Sequence, residues 1–147
     1  MSTIERQENT PDPRLRALDA LIGEWTITGE AQGQSSYEWM DGGFFLLQRG
    51  TLKHGDRTNQ FLEVIGFERG FEATGPAEEI TSRVYTTTGD TLDYVYEADA
   101  ESVTIWGGAK GSPAAYRGRW EQAGEVLRGA WQWPGGGYAT VMRRASR

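Results

Sequence analysis

The chain contains no cysteine and a single histidine in 147 residues. Without thiols there is no disulfide framework, no thiolate nucleophile and no cysteine-ligated zinc site. The one histidine, His54, has no second imidazole with which to share a metal, and no Ser-His-Asp arrangement can be built around it at a defensible spacing. Positive charge is also short: 15 Lys and Arg stand against 21 Asp and Glu, giving a formal net charge of −6 and an isoelectric point near 4.8. A nucleic-acid partner, whose phosphates reward a basic face, is therefore not expected. No apolar run approaches the roughly 18 residues of a membrane helix, so no membrane partner is expected either. The opening stretch MSTIERQENTPDPRLRALDA is polar where an export signal carries an apolar core, and a cytoplasmic protein is the expectation.

Glycine and aromatic residues are abundant. Twenty Gly, six Trp, six Tyr and five Phe accompany only five Pro. Aromatic and β-branched side chains suit pleated surfaces, and Gly supplies turns and bulges, so the mixture points to an all-β chain of many short strands. Residues 1–12 read as a flexible polar lead, and 13–147 as one domain. In PRLRALDALI, residues 13–22, Leu15, Leu18 and Leu21 or Ile22 fall at helical spacing behind a first-turn proline, which predicts one short amphipathic helix ended by Gly23.

Beyond Gly23 the pattern changes to period two, broken by turn signals at Asp41-Gly42-Gly43, His54-Gly55-Asp56, Arg69-Gly70, Gly89-Asp90, Asp99, 111–113, Gly124 and 134–137. About ten strands result, the first read as one run over GEWTITGEAQG. Consecutive hairpins favour an up-and-down antiparallel barrel, since closure removes exposed edges. A β-sandwich is the rival arrangement.

A helix followed by Gly-x-Trp on the first strand, then DGGFFLLQR, VIGFE and a closing LRGAWQW before a basic last strand, resembles the calycin superfamily over residues 14–145. That group includes lipocalins, fatty-acid-binding proteins and haem-binding nitrobindins; the likeness is strongest to bacterial lipocalin-like domains of unknown function. The resemblance implies that Trp25 closes one end of the barrel, that Arg143 or Arg144 of the last strand packs across its face, and that the helix lies over the same end. Gly23 would let the corner turn without a Cβ clash.

Alternation predicts the inner wall where one face is clearly polar. It turns Leu92, Tyr94 and Tyr96 inward, with Tyr116, Gly118 and Trp120, and Leu127, Gly129, Trp131 and Trp133. The strands at 44–52 and 61–68 are apolar on both faces, which leaves their register open. Such a lining suits a flat or apolar small molecule, with Tyr94, Tyr96, Tyr116, Trp120 and Trp131 as contacts, and Gly118 and Gly129 would leave room for it; a solid aromatic core without room for a guest is the rival reading. Arg83, if it turned inward, would clamp a ligand carboxylate, as inward Arg residues do in fatty-acid-binding proteins. Of the acidic strand residues Glu38, Glu63, Asp93 and Glu97, an inward Glu63 or Glu38 would be a candidate general base. His54 falls in a turn, which weighs against its binding haem, and no cofactor is expected. The leading reading is a carrier, sensor or sequestering protein for an apolar or aromatic small molecule. An enzyme of cyclase or isomerase type in the same barrel is the alternative. A third is an interaction domain forming a homodimer through the doubly apolar strands around 44–67.

Overall fold

The structure, a computed structural model, describes residues 10–147. The expected flexible lead over 1–12 lies outside the described residues as far as residue 9. At its end, the Asp12 side chain accepts a hydrogen bond from the Arg14 amide at 2.9 Å and caps the entry helix, Pro13–Leu21. That helix is of the 3-10 type. Three residues per turn bring Leu15, Leu18 and Leu21 onto one line, and all three are buried. At about 2 kcal/mol for each leucine removed from water, this stripe holds a helix too short to persist alone.

Ten strands follow: β1 Gly23–Gly29, β2 Ala31–Trp39, β3 Phe45–His54, β4 Arg57–Phe67, β5 Ile80–Thr86, β6 Thr91–Ala98, β7 Ser102–Gly107, β8 Ala115–Glu121, β9 Val126–Trp133 and β10 Gly136–Ser146. Each pairs antiparallel with its neighbour in sequence, and β1 pairs with β10 to close the ring. The fold is thus the closed up-and-down barrel, and the sandwich is excluded. The run read as one strand over 23–33 is in fact split. Gly29 has φ +112°, a Cβ there would lie 2.7 Å from the Ala139 carbonyl oxygen, and the chain reverses through Glu30 into β2.

The helix and Trp25 close one end. Trp25 is buried, and its indole Nε1 donates to the Leu21 carbonyl at 2.7 Å. The residue lying across its ring is Arg144, whose guanidinium carbon stands 4.3 Å from the ring centroid; Arg143, the other residue expected there, is exposed on the outer face. Arg144 also donates to the carbonyls of Ile22, Ala20 (2.8 Å) and Gly124 (3.2 Å), tying the helix end to the wall. Burial lowers its pKa, and Glu125 at 3.5 Å offsets part of that cost. Gly23 starts β1 at φ +122°, where a Cβ would stand 2.4 Å from the Ser146 carbonyl oxygen. The corner therefore requires glycine on two counts.

In the doubly apolar strands the pairing settles which face is inside. Leu46, Gln48, Gly50 and Leu52 of β3 face inward against Ile65, Glu63, Phe61 and Asn59 of β4. Leu47, Leu62 and Val64 lie half-buried on the outer wall, beside the exposed Tyr85 of β5.

Candidate functional site

The end of the barrel opposite the helix is open. Behind the opening lies a cavity of about 430 Å³, walled by Leu52, Phe61, Val84, Tyr94, Trp131 and Tyr138, with His54 and Arg57 at its rim. A smaller space of about 120 Å³ lies deeper, against Ile27, Tyr37, Gln48, Tyr116 and Met142, and shares the walls Leu52, Phe61, Tyr96 and Trp131 with the first. The outer chamber has the volume of a small-molecule site. A wider hollow of about 740 Å³ lies elsewhere, with Glu24, Gln34, Arg49 and Gln60 among its mainly polar lining beside Trp25, Phe61 and Tyr85; it is more open to solvent than the barrel cavity.

Alternation along β6, β8 and β9 brings the aromatic residues together. The Trp131 ring lies 5.5 Å from Tyr94 and 5.9 Å from Tyr116, centroid to centroid, with the planes tilted. At the mouth His54 stacks on Tyr138 at 4.5 Å, and Trp133 meets Tyr138 edge-on at 6.0 Å. Trp133 and Leu92 are 40% and 44% exposed there, so the rim offers apolar surface to whatever enters.

Tyr96 is buried, and its hydroxyl donates to Glu63 Oε2 at 2.8 Å; the Ser82 hydroxyl donates to the same oxygen at 2.7 Å. Glu63 is only 3% exposed and borders the outer chamber. Burial raises its pKa to about 7 against the pull of the two hydroxyl donors. The surrounding phenols are pushed upward too: burial, reinforced by the Glu63 charge, raises Tyr37 and Tyr96 well above the ordinary value and Tyr94 to about 12. The inner wall therefore holds one carboxyl group that changes charge near neutrality among phenols that stay neutral.

The remaining sequence-derived residues fall differently. Tyr94, Tyr96, Tyr116 and Trp131 all line the barrel cavity. Trp120 does not: it packs against Trp25 at 5.8 Å at the closed end, its Nε1 buried and unpartnered among the described residues. Arg83 faces outward and pairs with Asp93 at 2.8 Å, because β5 alternates Ser82 and Val84 inward on either side of it. It is no clamp for an internal ligand. Glu38 also faces out, paired with Arg49 at 3.2 Å, and Glu97 accepts from the Trp106 indole at 2.6 Å and pairs with Lys110 at 2.9 Å. Gly118 and Gly129 face each other across β8 and β9, yet the room they leave is taken by Tyr116, whose hydroxyl lies 2.5 and 2.6 Å from where their Cβ atoms would be.

Polar wall residues to which the sequence did not point include Tyr37, Gln48, Ser82, Tyr138 and Thr140. The signal was a polar residue recurring at inward spacing in otherwise apolar strands, and it became readable only once Glu63 fixed the register. Among the described residues no three His, Asp or Glu side chains gather as a metal site, and no helix is long and apolar enough to cross a membrane.

The chain is thus a ten-stranded closed barrel carrying an aromatic cavity open at one end, with a carboxyl group on the cavity wall. No family model and no curated protein matches it.

Proposed function

We propose that the protein binds an apolar or aromatic small molecule inside the barrel, as a carrier, sensor or sequestering protein, and that it is a calycin-like domain. The observation that carries this reading is the cavity of about 430 Å³ walled by Tyr94, Trp131, Phe61 and Tyr138 beneath an exposed apolar rim. A fully packed barrel would bury these aromatic faces against one another; here they border space of ligand size. Kinship with calycins is supported by the meander topology, the entry helix over one end and the Arg144 guanidinium across Trp25. The test is a titration of the purified protein with a panel of aromatic compounds, followed by tryptophan emission. Saturable quenching that weakens at least tenfold in Trp131→Ala is the expected result. A flat response across the panel removes the reading.

A second reading, acid–base catalysis in the same cavity, is favoured by one feature. Glu63 is a buried carboxyl with a pKa near 7, held by Ser82 and Tyr96 beside open space, as a proton-transferring group would be. A catalyst would lose turnover in Glu63→Gln while keeping its fold and its affinity for the substrate. A variant of full activity excludes Glu63 as the base.

A further inference from the structure

Two features of the cavity have no use inside the protein. The first is the state of Glu63. Among the described residues no Lys, Arg or His lies within ion-pair distance of it, although buried carboxylates are ordinarily paired. Its two hydrogen bonds both fall on Oε2, and Oε1 accepts none from the described residues, while the side chain borders the outer chamber. The two hydroxyls thus fix the orientation of the carboxyl group and leave one oxygen for another donor. The second feature is the group of π-faces around the same space, Tyr94, Trp131 and Tyr138, with the Tyr116 hydroxyl deeper in and unpartnered among the described residues. Aromatic faces carry negative quadrupolar potential, which attracts cations in a site kept from water.

We infer that the guest is an organic cation, an amine on an aromatic or apolar body, whose ammonium group docks on Glu63 Oε1 while its body lies among Tyr94, Trp131 and Tyr138. This rests on the reading of the cavity as a binding site and narrows its ligand class. An incoming ammonium supplies the missing donor and the missing countercharge together, so a costly buried carboxylate becomes a charge-assisted pair. A carboxylate guest would instead face Glu63 across the same space, and a neutral one would leave it uncompensated.

The groups that face Glu63 bear on how binding depends on pH. They are Tyr37 from β2, Gln48 from β3, Ser82 from β5, and Tyr94 and Tyr96 from β6, with His54 and Arg57 at the rim. The phenols stay neutral across the neutral range. Ionisation of Glu63 around pH 7 therefore sets the preference for a cation.

The experiment is calorimetric titration of the full chain with three compounds that share one body: 2-(1-naphthyl)ethylamine, 2-(1-naphthyl)ethanol and 1-naphthaleneacetate. At pH 8 the amine is expected to bind at least tenfold tighter than the alcohol, and the acetate more weakly than either. The amine-to-alcohol ratio is expected to rise about tenfold between pH 6 and pH 8, following ionisation of a carboxyl group with a pKa near 7. That rise should persist in His54→Asn, which removes the imidazole at the cavity rim. In Glu63→Gln the amine should fall to within threefold of the alcohol. The wild-type pH series needs no variant, so the inference stays testable if Glu63→Gln folds poorly. An alcohol or acetate that binds as tightly as the amine at pH 8, or a ratio flat with pH, overturns the inference and leaves the binding site standing. Failure of all three compounds to bind removes the inference and the binding reading together.

Discussion

Replacing Glu63 by glutamine makes the sharpest test of the barrel's interior. Glutamine keeps the shape of the side chain and can still accept from Ser82 or Tyr96, so the substitution removes the ionisation and little else. In the folded protein burial raises the carboxyl pKa from the ordinary 4.5 to about 7. The difference corresponds to about 3 kcal/mol between the protonated and ionised forms. The sign follows from proton counting. Between pH 4.5 and 7 the unfolded chain has released this proton while the folded one keeps it, so stability falls as pH rises. The stabilising contribution is complete below the unfolded pKa and is lost as pH rises through the folded one. Glutamine pays no such cost. Urea unfolding of both proteins at pH 5 and pH 8 isolates the effect, because groups that titrate alike in the two cancel in the comparison. The stability of Glu63→Gln relative to wild type should improve by about 2–3 kcal/mol from pH 5 to pH 8. A relative stability that stays within about 0.5 kcal/mol at the two pH values refutes the picture of a buried, nearly neutral acid.

Three further outcomes follow from the same geometry. Arg144→Met should destabilise the fold by about 2–4 kcal/mol, since it removes the cation over Trp25 and leaves the half-buried carbonyls at Ala20 and Ile22 without their donor, whereas Arg143→Met should stay within about 0.5 kcal/mol; chemical denaturation of the two variants decides. Gly129→Ala should cost about 1–3 kcal/mol in thermal unfolding, because its Cβ would stand 2.5 Å from the Arg117 carbonyl oxygen and 2.6 Å from the Tyr116 ring, and a stability equal to wild type would mean that both the strand and the ring give way freely. Arg83→Ala should leave the affinity for any cavity ligand within twofold, because the side chain is exposed and pairs with Asp93 outside the barrel; a tenfold loss by calorimetry would contradict its placement.

Much of the barrel can be read from the chain because β6, β8 and β9 each have one polar face. Arg117 and Arg119 point outward, and their neighbours Tyr116, Gly118 and Trp120 have only the interior left. The entry helix is legible for a similar reason, although the leucine spacing of three suits the tighter 3-10 winding better than an α-helix. The hairpin at Gly29 was hidden because a glycine between two threonine- and glutamate-bearing stretches also fits the middle of one strand. Side-chain volume was harder still. Composition shows that Gly118 and Gly129 leave a gap but not what fills it, and the answer is Tyr116 from the same strand as Gly118. The polar core of the site was least legible, since Glu63 lies on a strand apolar on both faces and reads as a solvated charge until its partners in β5 and β6 are known. A buried carboxyl breaks the binary pattern, and such breaks concentrate where a protein has work to do.

If the aromatic cavity at the open end receives a small molecule, filling that cavity must abolish binding. Leu52 lines both chambers, and Leu52→Trp places an indole in the space between them. Calorimetric titration of the wild type and of this variant with 2-(1-naphthyl)ethanol tests the claim directly. Saturable one-to-one binding to the wild type and none to the plugged barrel is the expected result. No saturable heat in the wild type, or equal binding by the two proteins, would contradict it.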